Sequence, residues 1–188
     1  YFLGAIRYDE HMTTQFSFYG GPIADHLAYY GISKSDAYSH DDAARTQNPI
    51  RRPEEIENFS QPHYELYHEW RLSDKVTVNN TFFLMTGSGF FDYDGSWAPY
   101  SYFRITGANG FSVLGDPDTL YISNALIRAF VDNRQYGWLP RASYRHEDGE
   151  LTVGAEVRIH RSVHWGALRW GEGLPAGVTP DYHYYEYQ

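Results

Sequence analysis

The sequence predicts an all-β fold, an antiparallel meander of about seven long strands with one apolar and one polar face. Three observations predict it. Residues 151–165 alternate: Leu151, Val153, Ala155, Val157, Ile159, Val163 and Trp165 stand against Thr152, Gly154, Glu156, Arg158, His160, Ser162 and His164, broken only by Arg161. A single strand of about fifteen residues is expected there, where soluble domains use about five or six. Short turn chemistry at 9–12, 73–75 and 146–150 separates strand-like runs, whereas long polar stretches with Gly and Pro occupy 21–62, 92–124 and 166–181. Short turns at one end and long loops at the other are the rhythm of a barrel that crosses a membrane with strands.

Each arm follows the same pattern. Thr13, Gln15 and Ser17 oppose Phe16 and Phe18. Tyr64, Leu66, His68, Trp70 and Leu72 alternate with Glu65, Tyr67, Glu69 and Arg71. Val76, Val78, Phe82 and Leu84 then share a face opposite Thr77, Asn79 and Thr81. Phe130, Tyr136, Trp138, Ala142 and Tyr144 oppose Asn133, Gln135, Arg141, Ser143 and Arg145. The apolar set is assigned to lipid and the polar set to a water-filled lumen. Asp132 and Arg134 fall on the apolar face, which is tolerable at a membrane rim. Pro140 has no N–H for a central ladder, so a bulge is expected there. Tyr8, Tyr19, Trp70, Phe90, Phe91, Tyr93, Tyr144, Trp165 and Trp170 gather toward strand ends, as aromatic girdles do.

Composition narrows the function classes. Mean hydropathy is −0.58, and no apolar run approaches the roughly 18 residues of a membrane helix. That excludes a helical membrane protein and leaves a barrel open, because in an alternating strand every second residue is polar and no continuous apolar run forms. The chain has no Cys, so neither disulfides nor thiolate metal sites are available. A net charge of −9 with no basic stripe argues against nucleic acid as partner. Both ends read as strand, so the 188 residues are expected to be a fragment of a longer chain or a mature protein with its beginning missing.

At Gln15-Phe-Ser-Phe-Tyr-Gly-Gly-Pro22 and Leu27-Ala-Tyr-Tyr-Gly-Ile32 the chain resembles TonB-dependent outer-membrane receptors of the iron-complex (siderophore) type. His63-Tyr-Glu-Leu-Tyr-His-Glu-Trp70 and the Thr86-Gly-Ser-Gly-Phe-Phe91 strand ending continue the resemblance. Asp132-Asn-Arg-Gln-Tyr-Gly-Trp138 and Leu151-Thr-Val-Gly-Ala-Glu156 follow in the family's order. The resemblance implies that residues 1–188 are part of a transmembrane β-barrel of about 22 strands. Its plug domain and remaining strands lie outside this sequence. It further implies an outer-membrane location in a Gram-negative cell, transport of an iron complex or other scarce small ligand, and energy coupling to the TonB complex through that missing plug. Cobalamin or an oligosaccharide are other ligands it allows.

Candidate ligand contacts are the charged residues of the polar face and first long loop: Glu65, Arg71, Arg141, Arg158, His160, Arg51 and Arg52. The wall charges Glu65, Glu69, Arg71, Arg141, Glu156 and Arg158 are expected to pair across neighbouring strands. Arg51 and Arg52, with Arg45, either greet an anionic chelate or pair with Glu54, Glu55 and Glu57 nearby. His160 and His164 are about 13 Å apart on one strand, too far to share a metal ion. His40, Asp41 and Asp42, with His26 and Asp25, are better read as a solvated loop than as a metal site. Gly87-Ser-Gly89 lacks the Lys-Ser/Thr and helix of a phosphate loop. No Ser, His and Asp are brought together by strand geometry, so neither catalysis nor a cofactor is expected. The rival reading is a soluble, secreted β-sandwich that binds carbohydrate through exposed Trp and Tyr, its apolar faces buried against each other.

Overall fold

The computed structural model describes residues 1–28, 30–50 and 52–188. Ten strands form one antiparallel sheet: β1 (Phe2–Arg7), β2 (Met12–Tyr19), β3 (Pro22–His26), β4 (Ile56–Ser60), β5 (His63–Arg71), β6 (Val76–Asp94), β7 (Ala125–His146), β8 (Gly149–Gly154), β9 (Val157–Gly171) and β10 (Tyr182–Tyr187). The main path runs β1-β2-β5-β6-β7-β9-β10 and is open, with β1 and β10 as its edges. Two four-residue helices, α1 (Lys34–Ala37) and α2 (Asp42–Arg45), sit in the first long loop. Ser33 and Asp41 cap them by accepting backbone N–H bonds from Asp36 and Ala43. Among the described residues no helix is long and apolar enough to cross a membrane.

The three strands off the main path continue their chain neighbours. Tyr19 faces His63 and, past Gly20-Gly21, Pro22 faces Ser60 in the same register. His63 faces Met85 and Ser60 faces Ser88, so β4 and β5 are one line. Gly154 faces Arg141 and Val157 faces Trp138, so β8 and β9 are another. Proline explains two of the openings. The carbonyls of Pro62 and Pro140 accept the N–H of Thr86 (3.2 Å) and Ala155 (3.0 Å), but neither proline has an N–H to return the second bond. The bulge expected at Pro140 is therefore absent: the ladder opens there and the register passes through. For the same reason the expected single strand at 151–165 is divided at Ala155-Glu156. True register shifts fall at Leu126/Ile127 and His183/Tyr185 instead.

Pairing stacks the alternating residues into rows across the sheet. Phe16, Leu66, Phe82, Trp138 and Val157 form one row, and Phe18, Tyr64, Leu84, Tyr136 and Ile159 the next. Leu66, Phe82, Leu84, Val153, Val157 and Ile159 are all exposed, since nothing packs over this face. Within it, polar groups satisfy one another: Thr14 Oγ1 and His68 Nδ1 share a 2.8 Å hydrogen bond, and the Trp138 indole donates to Asn80 at 2.9 Å. Above Leu84 the face turns polar, with Thr86, Arg134 and Arg161 in one row and Ser88 and Asp132 in the next.

The girdle aromatics divide between the faces. Trp70 and Tyr144 are exposed on the apolar face near the short turns, and Phe90 and Trp165 lie on it toward the long loops, both beside Phe130. Tyr19, Phe91 and Tyr93 are on the polar face instead, because they sit at odd positions of β2 and β6. The loops are shorter than the polar composition suggested. Strand geometry claims 22–26, 56–60, 92–94 and 166–171, leaving 27–55, 95–124 and 172–181.

Among the described residues, the one dry core lies at the long-loop end. There the 95–124 loop folds back over the polar face and buries Phe103, Ile105 and Ile122 against Ile127, Leu168 and Tyr184. Ile127 and Leu168 occupy positions in register with the polar-face residues below them, so this face becomes apolar only where the loop covers it.

Candidate ligand-binding cleft

A cleft of about 460 Å³ opens beside that core, lined by Leu27, Tyr30, Glu57, Phe91, Tyr93 and Trp97. Its size falls within the range usual for small-molecule sites. Phe91 and Tyr93 come from the polar face of β6, and Glu57 stands directly opposite Phe91 on β4. Leu27 follows β3 directly, its N–H bonded to the Glu55 carbonyl at 2.9 Å. Trp97 is presented by a turn in which Asp94 Oδ1 accepts bonds from the Ser96 N–H (3.1 Å) and hydroxyl (2.6 Å). Trp97 and Tyr30 stay more than half exposed, at 57% and 58%, so the aromatic lining is open to a ligand.

Arg52 fixes the wall behind this cleft. Its Nη1 donates to Asp94 and to the Ala125 carbonyl, both at 3.0 Å, and its guanidinium lies 5.2 Å from the Trp170 ring. The buried Glu55 accepts the Asp94 N–H at 2.9 Å. One arginine thus ties the first loop, the end of β6 and the start of β7 together. Pairing of Arg52 with the nearby glutamates was expected, but its partner is Asp94, far along the chain.

The other sequence candidates are spread over the polar face. Glu65 accepts a 2.6 Å bond from the Tyr19 hydroxyl. Arg71 pairs with Glu69 at 2.9 Å, near a short turn. Arg158 pairs with Glu156 and lies 5.8 Å from the Phe83 ring, which is drawn across Gly137. Arg141 lines a second depression, of about 590 Å³, together with Tyr67, Asn79 and Glu156, over the opened ladder at Pro140. His160 is exposed opposite Gln135. Arg51 lies outside the described residues. Arg141, Glu156 and Arg158 are thus brought into one patch, which Tyr67 links through Glu69 to Arg71, while Glu65, His160 and Arg52 stand apart from it. Asp92–Arg128 and Arg145–Glu150 pair across strands, whereas among the wall charges expected to form cross-strand ladders the pairs formed are two residues apart on one strand, Glu69–Arg71 and Glu156–Arg158. Side chains two apart in a strand share a face, which makes this geometry available.

Among the described residues no three His, Asp or Glu side chains gather as a metal site. Asp41 caps α2, and His26 Nε2 lies 2.9 Å from the Arg52 carbonyl. Of the cleft residues, Trp97 carried no signal in the sequence, Tyr30 stood only within the Leu27–Ile32 resemblance, and Glu57 only as an expected partner of the loop arginines. Phe91 and Tyr93 did carry one: counting by twos from Phe83 puts both on the polar face. The chain matches no protein-family model, and neither a curated protein nor a solved structure aligns with it.

Proposed function

We propose that this chain is a wall segment of a closed transmembrane β-barrel, a non-catalytic outer-membrane transporter of the TonB-dependent receptor type for an iron complex or similarly scarce ligand. The polar face is then the lumen, the short turns point to the periplasm, and the long-loop end captures the ligand before plug-coupled uptake. One observation carries the reading: rows of large apolar side chains, from Phe16 through Leu66, Phe82 and Trp138 to Val157, lie uncovered on one face. Monomeric soluble proteins rarely leave so continuous a patch in water, and a sandwich buries such rows under a second sheet. The apolar rows from Val76 to Leu84 cover eight residues of rise, about 26 Å along the strand, which suits an apolar band of about 25 Å. An open sheet edge in lipid leaves backbone groups unpaired, so β1 and β10 require further strands to close the wall.

Residues 1–188 hold no cysteine, so within this segment labelling reports only on the introduced positions. Single cysteines placed at Leu66, Phe82, Trp138 and Val157 in the intact, membrane-embedded protein should resist a water-soluble maleimide. Cysteines at Glu65, Asn79, Arg141 and Arg158 should react. Equal reactivity of the two sets, or recovery of the protein in the soluble fraction, overturns the reading.

A further inference from the structure

Asp25 and Glu57 stand directly opposite each other across β3 and β4, in the row that continues to Phe91 and Ala129. Like charges facing each other in an antiparallel pair destabilise it. Among the described residues neither carboxylate has an ion pair or a side-chain hydrogen bond. Elsewhere in the same region three carboxylates are matched by arginine: Asp92 by Arg128, Asp94 by Arg52, Asp181 by Arg169. The unmatched pair borders the aromatic cleft, whose lining, among the described residues, contains Glu57 and no Lys, Arg or His.

The surroundings share this sign. Segments 20–62, 92–124 and 172–181 hold thirteen of the 24 acidic residues and five of the fifteen basic ones; with Arg128 and Arg169, which pair with Asp92 and Asp181, the long-loop end carries −6 of the net charge of −9. A cleft edged by one sign of charge concentrates counter-ions of the other sign. Aromatic faces attract cations through their ring quadrupoles, most strongly where water is excluded.

We infer that this cleft binds an organic cation, an alkylated or protonated ammonium carried by the ligand, held among Tyr30, Phe91, Tyr93 and Trp97 and neutralising Glu57 and Asp25. The inference rests on the receptor reading for its location at the mouth of a barrel. It narrows the ligand class: an iron complex accepted here carries a positive group, and an anionic chelate is repelled.

Three probes of one shape test it: choline, its neutral isostere 3,3-dimethylbutan-1-ol, and the anionic 3,3-dimethylbutanoate. Each is titrated into the full-length protein in a nonionic detergent and read by calorimetry and tryptophan fluorescence. Choline should bind at least tenfold tighter than either isostere, and added salt should weaken it. Glu57→Gln should reduce choline affinity about tenfold, and the Asp25→Asn, Glu57→Gln double variant should abolish the preference for charge. Both changes keep side-chain volume, and heat-modifiable gel mobility verifies folding; Trp97→Ala then serves as an independent reporter of the site. Equal affinity for the three probes, tighter binding of the anion, or undiminished preference in the double variant overturns the inference. Charge preference and membrane accessibility are separate readouts. A membrane-inserted protein without the preference loses only the ligand assignment, and a soluble protein with it loses only the receptor reading.

Discussion

At the scale of single residues, the least forgiving positions are those where a charge or a ring has no alternative place. Arg128 donates through Nε and Nη2 to both oxygens of Asp92, each at 2.6 Å, and its guanidinium lies 3.4 Å from the centre of the Phe90 ring. The pair is largely buried, so removing one partner strands the other. Asp92→Asn is expected to cost about 3–5 kcal/mol, while Asp92→Leu with Arg128→Met restores most of that. A double-mutant cycle in urea unfolding measures it. Gly137 is constrained by space instead: a Cβ there would meet the Phe83 ring and the Val157 carbonyl at 2.6 Å. Gly137→Val should cost about 1–3 kcal/mol and quench the contact of Phe83 with Arg158, visible as a shift of the ring signals. In the first turn, Asp9 Oδ1 accepts the N–H groups of His11 (2.7 Å) and Met12 (2.9 Å). The bond from His11 chiefly, then that from Met12, holds its carboxyl below the ordinary 3.8. A depressed folded value means that the turn's stabilisation is complete above 3.8 and is lost as pH falls through the lower folded value. Amide exchange at His11 and Met12 should therefore remain protected at pH 5 and rise only in stronger acid. Exchange that accelerates already between pH 6 and 5 would count against it.

Strands and loops obey a second set of constraints. Alternation made most of the strands legible, since period two survives whatever partner a strand has. The turns at 9–12, 73–75 and 146–150 were equally legible, because Asp, Ser and Gly make their bonds locally. Breaks within strands were not. A proline in the middle of a ladder suggests a bulge, but a bulge needs an extra residue on one strand, and β7 and β8–β9 keep equal counts across Pro140. The structure leaves one bond of a pair unmade and nothing shifts. Gly20 shows the matching device on the neighbouring line: with φ of +95°, it passes the Gln61 carbonyl where a Cβ would stand 2.3 Å away. Pro140→Val should supply the missing N–H to Ala155 and join β8 to β9. The expected gain is about 0.5–1.5 kcal/mol, with slow exchange at the new Val amide; an unchanged unfolding midpoint would contradict this account of the opening.

For the whole molecule, the decisive quantity is which solvent each face meets. Val157→Arg and Ile159→Arg should each cost about 2–4 kcal/mol of folding free energy in lipid vesicles, whereas His160→Arg, one residue away on the other face, should change stability by less than about 0.5 kcal/mol. Similar costs on both faces would rule out a lipid-facing wall. The sequence by itself determined the all-β class, the antiparallel meander and the identity of the apolar and polar faces, because alternation is a property of neighbouring residues along one chain. It also located the loops, though not their true ends. Only the tertiary structure decided that the 95–124 loop folds inward to make a dry core. Only it placed Arg52 as a brace against Asp94, and gathered Tyr30, Glu57, Phe91, Tyr93 and Trp97 around one cleft. Those contacts join residues tens of positions apart, and no local periodicity encodes which distant side chains a folded loop will bring together.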